Sequence, residues 1–359
     1  MTRAKTREVI IGKGCKMVTI GGNSPIAIQS MCNTKTSDVA STVFQIKALE
    51  KLGCNIVRVA VLNMEDAKAI KEIVSKIDIP LVADIHFDYK LALASIEAGV
   101  DKLRINPGNI GSIENVEKVV NACKVHNIPI RIGVNLGSLN KSIEVKYGRT
   151  AKALYESAKE HIEILERLDF HNIVVSVKAS DINTCIEAYK MLSESYDYPL
   201  HIGITEAGSA YSGLVKSSIG LGILLNEGIG DTIRVSLSTD PIEEIKAAKE
   251  ILSNFNYYTK PLITACPPCG RTKYDMLPLL SKVEDYVNTT YPNTKIHIAI
   301  MGCAVNGPGE ARDADIGIAG GINEALLFKK GEIVRKIKEE NLLKEFLEEI
   351  DKFIKENNL

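Results

Sequence analysis

Eight short apolar, β-branched runs alternate with longer segments of helical period before residue 255, and no other feature of the 359-residue chain restricts its fold so tightly. The runs are 26–31, 55–60, 80–87, 102–107, 129–135, 173–179, 200–205 and 232–237. Each is a continuous apolar stretch of the kind buried on both faces in a parallel sheet, not the in-and-out alternation of a half-exposed strand. Helix ends can be read between them. Asp240-Pro241-Ile242-Glu243 supplies an N-cap, a proline at the first helical position and an acid three residues after the cap, and Gly53, Gly99 and Gly228 stand where helices should stop. Eight strand-and-helix units of about 30 residues match a (β/α)8 TIM barrel better than an open doubly wound sheet. A dinucleotide fold would need Gly-x-Gly-x-x-Gly after the first strand. The partial matches Gly12-Lys13-Gly14 and Gly220-Leu221-Gly222 read more simply as a turn and a small-residue helix contact. Residues 8–25 are expected to form a hairpin that turns at Gly21-Gly22-Asn23-Ser24 and closes the bottom of the barrel.

After Asn254 the rhythm changes. Residues 262–359 hold a helix-like stretch at 273–287, strand-like runs at 295–301 and 315–319, and a charged terminal helix at 333–355, which together read as a small α+β domain. Two domains are therefore expected, 1–257 and 258–359. In the terminal helix Leu343, Phe346, Leu347, Ile350 and Phe353 recur at helical spacing and mark a packing face, leaving its Lys and Glu residues to solvent. The 44 basic and 45 acidic residues nearly cancel, which argues against a broad electrostatic footprint for nucleic acid or an anionic membrane. No apolar run reaches the length of a membrane span or a signal peptide, so a cytoplasmic protein is expected.

Active sites of such barrels lie at the C-terminal ends of the strands, so polar residues that interrupt the apolar runs are site candidates. The interruptions are mostly cationic: Arg58, Arg104, Arg131, Lys178 and Arg234, with Asn106, Asn135 and Ser236 two or four residues after three of them and therefore on the same side. Five cations converging on one mouth repel one another unless an anion shares the space, and guanidinium forks suit phosphate or diphosphate oxygens. Each arginine taken singly has the simpler alternative of pairing with a rim carboxylate. Glu206, in the loop after the seventh run, is either a general acid whose burial would raise its pKa or a partner for one of those arginines. Asp84 and His86 could be a metal pair, but two ligands do not make a site and they read as hydrogen-bonding groups; His201 belongs to the seventh strand. His126, His161 and His171 fall in or beside helical stretches, and Cys15, Cys32, Cys54, Cys123 and Cys185 share no spacing and read as small buried hydrophobes.

The remaining thiols are patterned. Cys266-Pro267-Pro268-Cys269-Gly270 and Gly302-Cys303-Ala304-Val305-Asn306-Gly307-Pro308-Gly309-Glu310 supply three cysteines and a carboxylate from loops stiffened by Gly and Pro. Zinc is one reading, but structural zinc sites are usually closed by four Cys or His ligands. The other is an iron-sulfur cluster, which accepts three thiolates with a different, less tightly held ligand on its fourth iron.

These two motifs, behind eight barrel repeats, resemble the 4-hydroxy-3-methylbut-2-enyl diphosphate synthases of the non-mevalonate isoprenoid pathway, in their shorter bacterial two-domain form, and the resemblance covers essentially the whole chain. It implies a [4Fe-4S] cluster on Cys266, Cys269, Cys303 and Glu310 in an iron-sulfur second domain. It also implies reductive ring opening of 2-C-methyl-D-erythritol 2,4-cyclodiphosphate. Carried over position by position, it places Arg58, Arg104, Arg131, Asn135, Lys178, Arg234 and Ser236 around the cyclic diphosphate and Glu206 as proton donor. Reduced flavodoxin or ferredoxin is the implied electron donor, and a head-to-tail homodimer the implied assembly, each cluster domain capping the partner's barrel. The alternative from the residues alone is a class I aldolase acting on a phosphorylated sugar, with Lys178 as Schiff-base nucleophile and the cysteines holding structural zinc.

Overall fold

The computed structural model describes residues 3–304, 309 and 311–359. The chain divides into two compact units, Met1–Tyr257 and Tyr258–Leu359.

The first unit opens with an antiparallel hairpin, β1 (Val9–Ile11) and β2 (Val18–Ile20). Its connection lies at residues 12–17 and not at 21–24. Gly12 takes φ +82° there, and a Cβ on it would come within 2.8 Å of the Lys16 carbonyl. Gly21 and Gly22 instead carry the chain out of β2 toward the barrel, also at positive φ. Both glycine clusters satisfy the same local turn chemistry, and only the strand pairing distinguishes them. Val9, Ile11 and Ile20 pack on Ala27, Ile56, Val82 and Val174, residues at the N-terminal ends of barrel strands, so the hairpin does close the bottom.

The barrel runs β3 (Ala27–Met31), α1 (Val39–Lys51), β4 (Ile56–Ala60), α2 (Met64–Lys76), β5 (Leu81–Asp84), α3 (Tyr89–Glu97), β6 (Lys102–Ile105), α4 (Ile113–His126), β7 (Ile130–Asn135), α5 (Lys141–Tyr147) and α6 (Ala151–Arg167). It continues with β8 (Ile173–Lys178), α7 (Ile182–Ser195), β9 (His201–Ile202), α8 (Ala210–Asn226), β10 (Thr232–Ile233) and α9 (Pro241–Asn254). The strands are hydrogen-bonded in the order β8-β7-β6-β5-β4-β3-β10-β9, all parallel, and a Val175–Leu200 bridge joins the two ends. All eight expected runs enter the barrel, although β9 and β10 are shorter than read from sequence. Helix starts carry their own caps: the side chains of Asn63, Asp88, Asp181 and Asp240 each accept a backbone N–H of the first turn.

Period two along each strand decides what fills the barrel. Barrel interiors are usually apolar layers. Here only the bottom layer is apolar, and above it stand Gln29, Lys102, Arg131, His201 and Thr232, all buried.

The second unit is a five-stranded sheet under two helices. Its elements are β11 (Leu262–Ala265), α10 (Met276–Thr290), β12 (His297–Met301), β13 (Ile316–Gly320), β14 (Glu324–Lys329), β15 (Glu332–Lys338) and α11 (Leu342–Asn357). The first three strands are parallel and the last two join antiparallel, in sequence order. Val283 and Val287 of α10 and Phe346, Ile350 and Phe353 of α11 cover Ile298, Ile300, Ile318 and Leu327. The expected terminal helix at 333–355 is thus corrected: residues 333–338 belong to the strand β15, and the helix begins at Leu342. Lys330 and Gly331, at φ +49° and +82°, make the tight turn into β15. The charges of this edge strand, exposed along most of its length, mimic the solvated face of a helix.

Candidate active site

Inward positions of the strands bring most of the singled-out barrel residues to one cavity of about 140 Å³. Arg58, Asp84, His86, Arg104, Arg131, Asn135, Ser176, Lys178, Thr205, Arg234 and Ser236 line it. All five expected cations are there, against one carboxylate. Asp84 is the hub on the acidic side: its Oδ1 accepts from Arg104 Nη1 at 3.0 Å, Arg58 Nε is 3.7 Å from Oδ2, and His86 Nε2 is 3.5 Å from Oδ1. Burial alone would raise the Asp84 pKa; Arg58 and Arg104 outweigh it and hold the carboxyl below its usual value. Arg58 is pushed down to about 9 by burial, with Asp84 opposing. Arg234 has its own acid, Glu244 of α9, at 3.8 Å.

That leaves N–H groups without a protein hydrogen-bond acceptor among the described residues. Nε of Arg104, Nε and Nη2 of Arg131 and Nε of Arg234 are buried and make no hydrogen bond among the described residues. Arg131, 2% exposed, has Ser176 Oγ as its hydrogen-bond acceptor, at 2.6 Å. Buried N–H groups are seldom left unpaired, so these point to an acceptor that comes from outside the protein. Burial, then Arg234, Arg131 and Arg58, push the Lys178 amine well below its ordinary pKa. A bound polyanion reverses the sign of that environment.

Glu206 is placed differently from expectation. It stands four residues past β9 at φ +50°, and it is exposed. It pairs with none of the arginines among the described residues. Asn106 is structural: its Oδ1 accepts from the Gly133 N–H at 2.9 Å. Cys32 is buried and its thiol is pushed up to about 12, which leaves it protonated. Sequence reading passed over Glu244, Lys102 and Thr205. Glu244 was legible, because it shares the helical spacing of the buried face Pro241, Ile245, Ala248 and Leu252. Lys102, fully buried with Nζ unpartnered, lies two residues before Arg104 and so on the same inward side.

In the second unit the patterned thiols lie at the C-terminal ends of adjacent parallel strands. Ala265 pairs with Ile300, so Cys266 after β11 and Cys303 after β12 emerge at one edge of the sheet. The two loops are stapled: Gly302 N–H donates to Cys266 Sγ at 3.1 Å, Cys269 N–H donates to Thr272 Oγ1 at 3.0 Å, and a Cβ on Gly302 would fall 2.7 Å from that same hydroxyl. Hydrogen bonding from the Arg271 backbone lowers the pKa of Cys269, and nearby Cys303 opposes it. Among the described residues no three His, Cys, Asp or Glu side chains form a ready single-ion site. Glu310 lies outside the described residues. Among those described, no helix is long and apolar enough to cross a membrane.

Family models match both units: the GcpE TIM-barrel domain over residues 6–249 and the GcpE protein C-terminal domain over residues 262–352. The chain belongs to the GcpE family. Curated GcpE-type relatives are named 4-hydroxy-3-methylbut-2-en-1-yl diphosphate synthase (flavodoxin). That of Clostridium perfringens is 58% identical over 98% of this chain and 99% of its own length. Those of Bacillus pumilus and Exiguobacterium sibiricum are each 56% identical over 99% of this chain and 95% of theirs. The chain is an enzyme of the GcpE family, and the relatives favour the diphosphate synthase over the aldolase alternative.

Proposed function

We propose that this protein converts 2-C-methyl-D-erythritol 2,4-cyclodiphosphate to 4-hydroxy-3-methylbut-2-enyl diphosphate in the non-mevalonate isoprenoid pathway. The reaction opens the ring reductively, takes up two electrons and releases a hydroxyl as water. The observation that carries this reading is the barrel mouth, where five cations and one carboxylate line one cavity and buried guanidinium N–H groups have no acceptor among the described residues. Arg58, Arg104, Arg131, Lys178 and Arg234 bind the diphosphate oxygens, and Asn135 and Ser236 orient the rest of the ligand. Asp84 keeps Arg58 and Arg104 aimed. Glu206, exposed beside Thr205, serves as proton donor to the departing hydroxyl.

The donor set of the second unit fits a [4Fe-4S] cluster on Cys266, Cys269 and Cys303, with Glu310 as fourth ligand. Two strand-end loops already hold the thiols on one edge, and backbone N–H groups are turned toward sulfur. Such a cluster, when bound, would supply electrons singly from a reduced carrier, for which flavodoxin, part of the relatives' enzyme name, or ferredoxin is suited. Three free thiolate ligands and a low-potential electron carrier suit the reducing cytoplasm, the compartment proposed. The test is turnover: anaerobically reconstituted protein with reduced flavodoxin and the cyclic diphosphate should yield the ring-opened diphosphate by mass spectrometry. Unchanged substrate at full iron content would refute the reading.

Lys178 adds a pH signature. Its pKa is depressed in the free mouth and is restored by a bound polyanion, so binding should take up a proton, and affinity should fall as pH rises through the interval between the two values. Calorimetry in two buffers of different ionisation heat checks this; a binding heat independent of buffer counts against it.

The assembly proposed is a head-to-tail homodimer in which each cluster domain serves the partner's barrel. An apolar stripe on α8 supports a self-association surface: Tyr211, Val215, Ile219 and Ile223, one every four residues, are all exposed.

A further inference from the structure

Three of the mouth cations lie, one after another around the barrel, over the smallest inward residue of the next strand. Arg104 of β6 lies over Gly133 of β7: Nη2 donates to the Gly133 carbonyl at 2.6 Å, and a Cβ on Gly133 would meet Nε at 2.3 Å and Cζ at 3.0 Å. Arg131 of β7 reaches Ser176 of β8 at 2.6 Å. Lys178 of β8 lies over Gly203, the residue after β9, where a Cβ would meet Nζ at 2.4 Å and Cε at 3.1 Å as well as the Arg234 carbonyl oxygen at 2.7 Å.

Backbone freedom does not explain these glycines, because neither has a left-handed φ. Gly133 is in mid-strand, hydrogen-bonded to Asn106, a position where glycine weakens a strand. What its missing side chain provides is room. The stagger of a closed parallel barrel sets each inward residue beside its neighbour's, so a long side chain either lies across the next strand or rises into the centre. Across the strand, its head stays at the wall and the centre remains open.

We propose that Gly133, Ser176 and Gly203 are positioning residues, notches that hold Arg104, Arg131 and Lys178 flat against the barrel wall and so keep the centre of the mouth open for the diphosphate. The inference rests on the reading of this mouth as the diphosphate site. With a methyl group at residue 133, the Arg104 guanidinium must lift into the space the ligand needs and give up its hold on the Gly133 carbonyl.

The experiment is a double-mutant cycle on the reconstituted holoenzyme, read as the dissociation constant of the cyclic diphosphate by calorimetry. Gly133→Ala should weaken binding by about tenfold or more, the scale of losing a hydrogen bond to a charged group. In an Arg104→Ala background, where the three atoms nearest the new methyl are gone, the same substitution should cost less than about twofold. Equal losses in both backgrounds would mean a strand defect and would overturn the proposal. Should Gly133→Ala alone fail to fold, recovery of folding in Arg104→Ala/Gly133→Ala supports the notch, and failure in both overturns it. Parent protein that does not bind the cyclic diphosphate refutes the reading of the mouth and the notches' role with it. Parent that binds, alongside a Gly133→Ala variant that binds as tightly, refutes the notch alone.

Discussion

Arg131→Met should lower kcat/KM for the cyclic diphosphate by about a hundredfold to ten-thousandfold, while the melting temperature stays as high as the parent's or rises. The size follows from two unpartnered N–H groups, Nε and Nη2. Hydrogen bonds to charged groups are worth about 1.5–3 kcal/mol each, and two of them compound to that range of rates. The opposite effect on stability follows from the neighbours. Arg131 is buried, and Arg58 and Arg104 repel it while Asp84 attracts it without offsetting its burial. Methionine keeps much of the volume and removes the charge, and replacing buried charges by apolar groups of similar size is often neutral or stabilising. A site that stores repulsion until an anion arrives trades stability for binding. A variant that keeps its activity, or one that loses activity only because it unfolds, would contradict this account; thermal melts beside steady-state kinetics separate the cases.

Cys266→Ser should abolish turnover and most of the iron, with the fold of the second unit unchanged by circular dichroism. The thiol is half-buried at the end of β11, touching the apolar core only from its edge, so serine disturbs little packing. A serine hydroxyl ionises far less readily than a thiol and is a much poorer ligand for iron. Metal analysis of anaerobically reconstituted protein, with the visible absorption of the cluster, checks the outcome; an active, iron-free or zinc-loaded variant would refute the ligand set. Because the proposed dimer builds each site from two subunits, mixing Cys266→Ser with Arg131→Met protein should restore activity through the hybrid with one intact pair. No recovery, with subunit exchange confirmed, would refute the head-to-tail assembly.

Much of this was legible before any coordinates. A continuous apolar run followed by a helical period is a local signal, and repeating it eight times leaves few architectures open. The cations were legible for the same reason, since a charge that interrupts a buried strand must face something polar. Two local signals misled. Gly12 and Gly14 have the same turn chemistry as Gly21 and Gly22, and pairing across the hairpin chose between them. The edge strand β15 carries charges at a density that also suits a helix, and its identity comes from β14, with which it pairs from Glu332 to Lys338 apart from one irregularity at Val334.

By itself, then, the amino-acid sequence determined the repeat, the cationic mouth and the three patterned thiols, because each is a short-range relation among residue types. Tertiary structure alone decided which charges stand near which: Asp84 against Arg58 and Arg104, Glu244 against Arg234, and Gly133 and Gly203 as gaps beneath Arg104 and Lys178. Those relations join residues on different strands and helices, and they depend on the register and stagger with which the barrel closes, which no local pattern encodes.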